Sequence, residues 1–97
     1  MRIKKEYLEF IKETTKELFG DCAKVYLFGS RIDNGKRGGD IDIYIETNLK
    51  TNIFEIKIEM LKRLHDKLGN QKIDIVINNH SNHKYVYDVA RHEGIAL

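Results

Sequence analysis

The sequence has little or none of three residue types: proline, tryptophan and cysteine. It contains no proline and no tryptophan, and Cys22 is the single cysteine among 97 residues. One cysteine excludes an internal disulfide and a zinc site built on several thiolates. We therefore predict a protein of the reducing cytoplasm, in which Cys22 is a small buried apolar residue.

Long apolar runs and a strong charge imbalance are also missing. No run approaches the roughly 20 apolar residues that span a bilayer, and the first ten residues have the charge spacing of a helix rather than a secretory leader. The formal net charge of +2 is too small to indicate a nucleic-acid partner. The sequence thus predicts a protein that neither spans a membrane nor binds nucleic acid.

What the chain does contain is enough apolar material for one small core. The composition is 41% hydrophobic and 33% charged, which is typical of a folded globular protein. We expect a single domain over residues 1–97. Because so short a chain has little surplus core, it is suited to completing its burial against a partner.

Apolar periodicity predicts an alternation of helices and strands. The predicted helices cover residues 3–19, 52–68 and 84–92. The predicted strands cover residues 23–28, 40–46 and 71–77, with a short last strand over 95–97. This order favours an α+β (α/β) fold with a small mixed sheet and helices packed on one face.

Two carboxylates open the second predicted strand. Asp40 and Asp42 are two residues apart, so they point to the same face of the strand. The alternate residues Ile41, Ile43 and Ile45 point to the other face. One side of this strand is therefore suited to a core and the other to a cation.

The predicted connections bring further polar residues to this point. A short link favours antiparallel pairing of the first two strands, which places Gly29 and Ser30 beside Asp40. A connecting helix favours parallel pairing of the second and third strands, which brings Asp74 to the same end of the sheet as Asp40 and Asp42. Three carboxylates then meet next to a Gly-Ser pair.

Three carboxylates packed together repel one another unless a cation lies between them. Mg²⁺ is normally held by one or two carboxylates together with substrate phosphates, and two such ions support in-line phosphoryl displacement. A glycine at position 29 lets a phosphate approach the backbone, and Ser30 offers its hydroxyl and its N–H group. Each motif alone is common in ordinary strand ends and turns, and only their combination indicates this chemistry.

These residues resemble a minimal nucleotidyltransferase of the DNA polymerase beta-like superfamily. The resemblance lies in LFGSR at 27–31, GDIDI at 39–43, IDIV at 73–76 and the ending ARHEGI at 90–95. Nine residues separate Ser30 from Asp40, slightly fewer than usual, and Gly39 stands where a serine often precedes the first aspartate. The resemblance covers essentially the whole chain, and it specifies the superfamily better than the substrate.

The resemblance implies a metal-dependent enzyme that transfers a nucleoside monophosphate, AMP from ATP, to a hydroxyl group. Two Mg²⁺ ions would bind at the carboxylates, and Asp74 would help to deprotonate the acceptor hydroxyl. The implied catalytic and metal-binding residues are Asp40, Asp42 and Asp74, and the implied nucleotide-binding residues are Gly29, Ser30 and Arg31, the last being the weaker candidate.

The resemblance also implies a biological setting. Stand-alone members of this size resemble antitoxins of toxin-antitoxin systems, which neutralise a HEPN-domain ribonuclease toxin by adding AMP to one of its tyrosines. The alternative is an antitoxin that neutralises its partner by binding alone. A polymerase or tRNA-processing transferase is disfavoured, because 97 residues leave no room for a template-binding domain.

Other polar features are better explained by ordinary structure. Lys36 and Arg37 are suited to contact a triphosphate, but a solvated loop is the simpler interpretation. His80 and His83 have no obvious third ligand, so we interpret them as part of a polar turn rather than a metal site. Tyr87 is a candidate for lining a nucleotide pocket, although an aromatic residue on a short helix usually belongs to a core.

Overall fold

The computed structural model describes residues 4–28, 41–69, 72–79, 87, 92 and 94–97. The helices are α1 (Lys5–Phe19) and α2 (Ile53–Leu68), and the strands are β1 (Lys24–Phe28), β2 (Ile41–Glu46), β3 (Ile73–Asn78) and β4 (Ile95–Ala96). Each lies within two residues of its predicted bounds. Tyr87 and His92 have helical backbone, as the predicted third helix requires, whereas most of that helix and the whole loop 30–39 lie outside the described residues.

Residues with left-handed backbone set the helix boundaries. Helix α1 ends at Gly20 and α2 ends at Gly69, with φ angles of 104° and 87°, and the N–H group of each glycine donates to the carbonyl four residues earlier. Glycine adopts such angles without a steric penalty. Asn52 precedes α2 with φ 58° and ψ 26°, and asparagine is one of the few other residues that tolerates this region.

The four described strands form one sheet in the order β3-β2-β1-β4. Strand β1 pairs antiparallel with β2 and with β4, while β2 and β3 are parallel. These orientations confirm both pairings that the connections predicted. Strand β2 therefore occupies an interior position, and β3 forms an edge of the described sheet.

One face of the sheet carries the main hydrophobic core. It joins alternate residues of β1, β2 and β3 to the apolar sides of α1 and α2. The fully buried members are Ile11, Leu27, Ile41, Ile43, Ile45, Met60 and Leu64. The two complete helices thus pack on one face of the sheet, as predicted.

Polar contacts fix the two helices against each other and against the sheet. Arg63 of α2 contacts Glu59 at 2.9 Å and Glu17 of α1 at 3.3 Å. The hydrogen bond to Glu59 is the main reason that the pKa of Arg63 is raised above its ordinary value. The buried hydroxyl of Thr47 donates to the carbonyl of Phe19 at 3.0 Å, which joins the end of β2 to the end of α1.

Cys22 does not belong to the core, and the prediction that it is buried was wrong. It is exposed in the turn between α1 and β1, after Gly20 has already ended the helix. The main core resumes only at Ala23 and Val25. Within the described part of the chain, no helix combines the length and the apolarity needed to cross a membrane.

Candidate functional site

The sheet face opposite the main core is organised in three rows that run across the strands. The first row contains Asp74, Asp42 and Phe28, the second contains Val76, Tyr44, Tyr26 and Ala96, and the third contains Asn78, Glu46 and Lys24. The first row lies where β2 and β3 begin and where β1 ends. This row is the candidate site, and the other two support it.

The two described carboxylates of the first row are direct neighbours. Asp42 pairs with Asp74 in the parallel register of β2 and β3, and adjacent strands lie about 4.8 Å apart. Asp42 is half-buried on the interior strand, whereas Asp74 is exposed on the edge strand. The arrangement presents two carboxylates to solvent from one sheet face.

The core on the far side of the sheet holds this register. Ile41 and Ile43 flank Asp42, Ile73 and Ile75 flank Asp74, and all four isoleucines are buried. The N–H group of Ile41 donates to the carbonyl of Lys72 at 2.9 Å, which fixes the start of both strands. A slip of one residue would turn the isoleucines to solvent and the carboxylates into the core. Core packing therefore aligns Asp42 with Asp74.

Tyr44 lies in the row next to the carboxylates, on the same face of the sheet. Its side chain is fully buried, and its hydroxyl donates to Oε2 of Glu46 at 2.8 Å and accepts from Nδ2 of Asn78 at 3.0 Å. None of these three residues was predicted to take part in the site. Their place could have been found from the alternation along β2, since Tyr44 and Glu46 lie on the same strand face as Asp42.

Aromatic side chains close this face beside the candidate site. The Tyr44 ring centroid lies 5.6 Å from that of Tyr26 and 5.7 Å from that of Tyr87. The Tyr87 hydroxyl donates to the carbonyl of Ile77 at 3.0 Å. Tyr87 is 6% exposed and belongs to this small cluster, as the core interpretation predicted. This sheet face is therefore accessible to solvent at the carboxylates and buried at the neighbouring row of aromatic residues.

The remaining predicted site residues lie outside the described part of the chain. They are Gly29, Ser30, Arg31 and Asp40. The residues that flank them in sequence are described: Phe28 precedes Gly29 and lies opposite Asp42, and Ile41 follows Asp40 at the start of β2.

The donor set is consistent with a hard divalent cation. Asp42 and Asp74 supply carboxylate oxygens, which are the ligands that Mg²⁺ prefers. Among the described residues no group of three or more His, Cys, Asp or Glu side chains is close enough to hold a metal, and the third predicted ligand, Asp40, is not among them. Mg²⁺ is usually held by one or two carboxylates together with substrate phosphates, and Asp42 and Asp74 are such a pair of carboxylates.

Comparison with known proteins identifies the family. No curated protein matches the chain. The model of the Polymerase beta, Nucleotidyltransferase family matches residues 9–97. Such enzymes transfer a nucleotidyl group from a nucleoside triphosphate and generally use a divalent metal. The match covers both strands that carry the carboxylates, and the chain belongs to the polymerase beta nucleotidyltransferase family.

Proposed function

We propose that this nucleotidyltransferase is a protein adenylyltransferase that acts as an antitoxin. It moves AMP from ATP to a hydroxyl group, a tyrosine of a HEPN-type toxin, and thereby neutralises that partner. The observation that carries the enzymatic part is the alignment of Asp42 with Asp74 at the end of the sheet where β1 leads into Gly29 and Ser30. The nucleotide, the acceptor and the toxin are proposed from the resemblance to small stand-alone members of the superfamily.

In this proposal Asp40, Asp42 and Asp74 would hold two Mg²⁺ ions. When bound, these ions neutralise phosphate charge and activate an attacking hydroxyl. Asp42 is the better fixed of the two described ligands, because it lies on the interior strand and is half-buried. The exposed position of Asp74 on the edge strand leaves space for an acceptor to approach it.

The chain's own residues divide the remaining work. Gly29 and Ser30, with help from Arg31, hold the β- and γ-phosphates. Asp74 accepts the proton of the acceptor hydroxyl, whose oxygen forms a bond to the α-phosphorus. The bond from that phosphorus to the bridging oxygen breaks, and pyrophosphate leaves. The buried aromatic row next to the carboxylates keeps the backbone of both aspartates in place during the reaction.

A transfer assay tests the enzymatic part. The purified protein is incubated with Mg²⁺, each of the four labelled nucleoside triphosphates in turn, and the protein encoded by the neighbouring gene, which this proposal expects to be a HEPN-type toxin. We expect label on the partner with ATP, and loss of at least about 100-fold in the rate for Asp42→Asn and for Asp74→Asn. The matched control is Asp21→Asn, which changes an exposed aspartate in the turn before β1 and should retain full activity.

Two results contradict the enzymatic proposal. One is transfer that survives in the Asp42→Asn, Asp74→Asn double variant while the variant remains folded. The other is the absence of transfer from any of the four nucleotides, together with no metal-dependent binding of a triphosphate.

Coexpression separates catalysis from binding. If catalysis neutralises the toxin, cells that produce the toxin with the double variant should stop growing, whereas those with the Asp21→Asn control should grow. Growth rescue by the double variant would favour an antitoxin that acts by binding alone.

A further inference from the structure

Helix α2 exposes apolar side chains that the core does not use. Phe54 is 70% exposed and Ile58 is 49% exposed. The half-buried Leu61, which also packs against the main core, and the exposed His65 continue the line. The spacings of four, three and four residues place all four side chains along one side of the helix. We refer to Phe54, Ile58, Leu61 and His65 as the α2 strip.

The strip belongs to a helix that packs on the sheet face opposite Asp42 and Asp74. Its first residue, Phe54, borders an open groove of about 490 Å³ that is shared with Lys57, Ile75 and Tyr87. The groove widens the apolar surface around the strip towards the edge of the sheet. A pair of large apolar side chains one turn apart, next to such a groove, is typical of a surface that contacts another protein.

The charges beside the strip favour a second copy of this chain as the partner. Glu55 and Lys62 are both exposed and lie seven residues apart, so they share one flank of the strip. Neither forms an ion pair within the described part of the chain. When two copies of α2 pack antiparallel about a two-fold axis, Ile58 lies opposite the partner copy's Leu61, and Glu55 lies opposite the partner copy's Lys62. The symmetry repeats the charge pair, whereas parallel packing would place the two charged flanks on opposite sides of the seam, where they could not pair with each other.

We propose that the α2 strip is the contact surface of a homodimer in which two copies of α2 pack antiparallel. The pattern is self-complementary, since the chain supplies both the apolar seam and both signs of charge. Helix α2 has 16 residues and spans about 24 Å, so the contact is smaller than the roughly 800 Å² per partner of a standard interface. We therefore expect a weak dimer with a dissociation constant of the order of tens of micromolar.

Analytical ultracentrifugation of the full chain tests the proposal over about 5 to 500 µM, a range that brackets this affinity. The wild-type protein should pass from monomer to dimer. Phe54→Ser should remain monomeric, and because Phe54 is 70% exposed the variant should keep its circular dichroism spectrum and unfolding midpoint. A protein that stays monomeric at every concentration, or a dimer that Phe54→Ser leaves intact, overturns the proposal.

Charge reversal tests the antiparallel arrangement. Glu55→Lys and Lys62→Glu should each weaken the dimer about tenfold, because each replaces two attractions by two repulsions. The double variant should restore the affinity to within a few-fold of the wild type. Glu13→Lys and Lys12→Glu on α1 make the same changes in net charge at exposed positions and should have little effect. Failure of the double variant to restore binding overturns the antiparallel pairing, and a strip that binds only a different protein overturns the choice of a second copy.

Discussion

The hydroxyl of Tyr44 should make a large contribution to stability for a single atom. Tyr44→Phe removes one hydrogen bond to the Glu46 carboxylate at 2.8 Å and one from the Asn78 amide at 3.0 Å, both at a fully buried ring. A buried hydrogen bond to a charged group contributes about 1.5–3 kcal/mol and a neutral one about 1 kcal/mol. Because Glu46 and Asn78 each keep other interactions and the bond to Glu46 is only partly buried, we expect a net loss of about 2 kcal/mol, somewhat below that sum.

Urea denaturation followed by circular dichroism measures this loss. A decrease of about 2 kcal/mol in the free energy of unfolding corresponds to a fall of about 10 °C in the melting temperature of a domain of this size. The slope of the transition should not change, because the substitution leaves the surface exposed on unfolding unaltered.

Tyr26→Phe is the matched control for this experiment. The Tyr26 ring contacts Tyr44 in a tilted arrangement, with a centroid distance of 5.6 Å, but Tyr26 is only half-buried. Removal of its hydroxyl should cost less than about 0.5 kcal/mol, as is usual away from a buried network. Equal unfolding midpoints for the two variants would refute the argument that the Tyr44 hydroxyl connects β2 to β3.

Two further predictions concern particular positions of the backbone and the surface. Cys22 is exposed, so the native protein should react with a disulfide-exchange reagent at a rate close to that of the unfolded chain, and slow labelling that requires denaturant would contradict the exposed position. Asn52 has left-handed backbone before α2, so Asn52→Ala should lower the free energy of unfolding by about 1 kcal/mol, whereas Asn52→Gly should not. Equal losses in the two variants would contradict the backbone conformation as the cause of the effect.

The convergence of Asp42 and Asp74 at one end of the sheet could be predicted because it depends only on local rules. Alternation along a strand assigns each carboxylate to a face, and a helical connection makes strands β2 and β3 parallel. Glycines at positions 20 and 69 marked the helix ends for an equally local reason. The fold class was therefore accessible from the sequence, and the structure confirms it.

The burial of Tyr44 could not be predicted from local rules. Alternation placed it on the same face as Asp42, and that face was expected to meet a cation. Tyr44 is instead fully buried, because Tyr87 returns from beyond β3 to cover it. Which segment covers a sheet face depends on the path of the chain as a whole, and periodicity within one strand does not contain that path.

Cys22 illustrates a different failure. The prediction of burial relied on the average behaviour of cysteine, which is among the most buried residue types. Its position two residues after Gly20 was the better guide, since a turn that follows a helix end is exposed. The assignments of Gly29, Ser30, Arg31 and Asp40 remain predictions, and the transfer assay is their test.

The hydrogen bond from Tyr87 to Ile77 has a consequence for the solubility of the protein. In β3 the even-numbered residues direct their backbone groups towards β2, as the bonds from Ile41 to Lys72 and from Thr47 to Asn78 show. The backbone groups of Ile73, Ile75 and Ile77 therefore point away from the described sheet. An edge strand with unsatisfied groups is a template for aggregation. By occupying the carbonyl of Ile77, the Tyr87 hydroxyl shortens that template, so the residue that covers the sheet face also protects the edge from pairing with strands of other molecules.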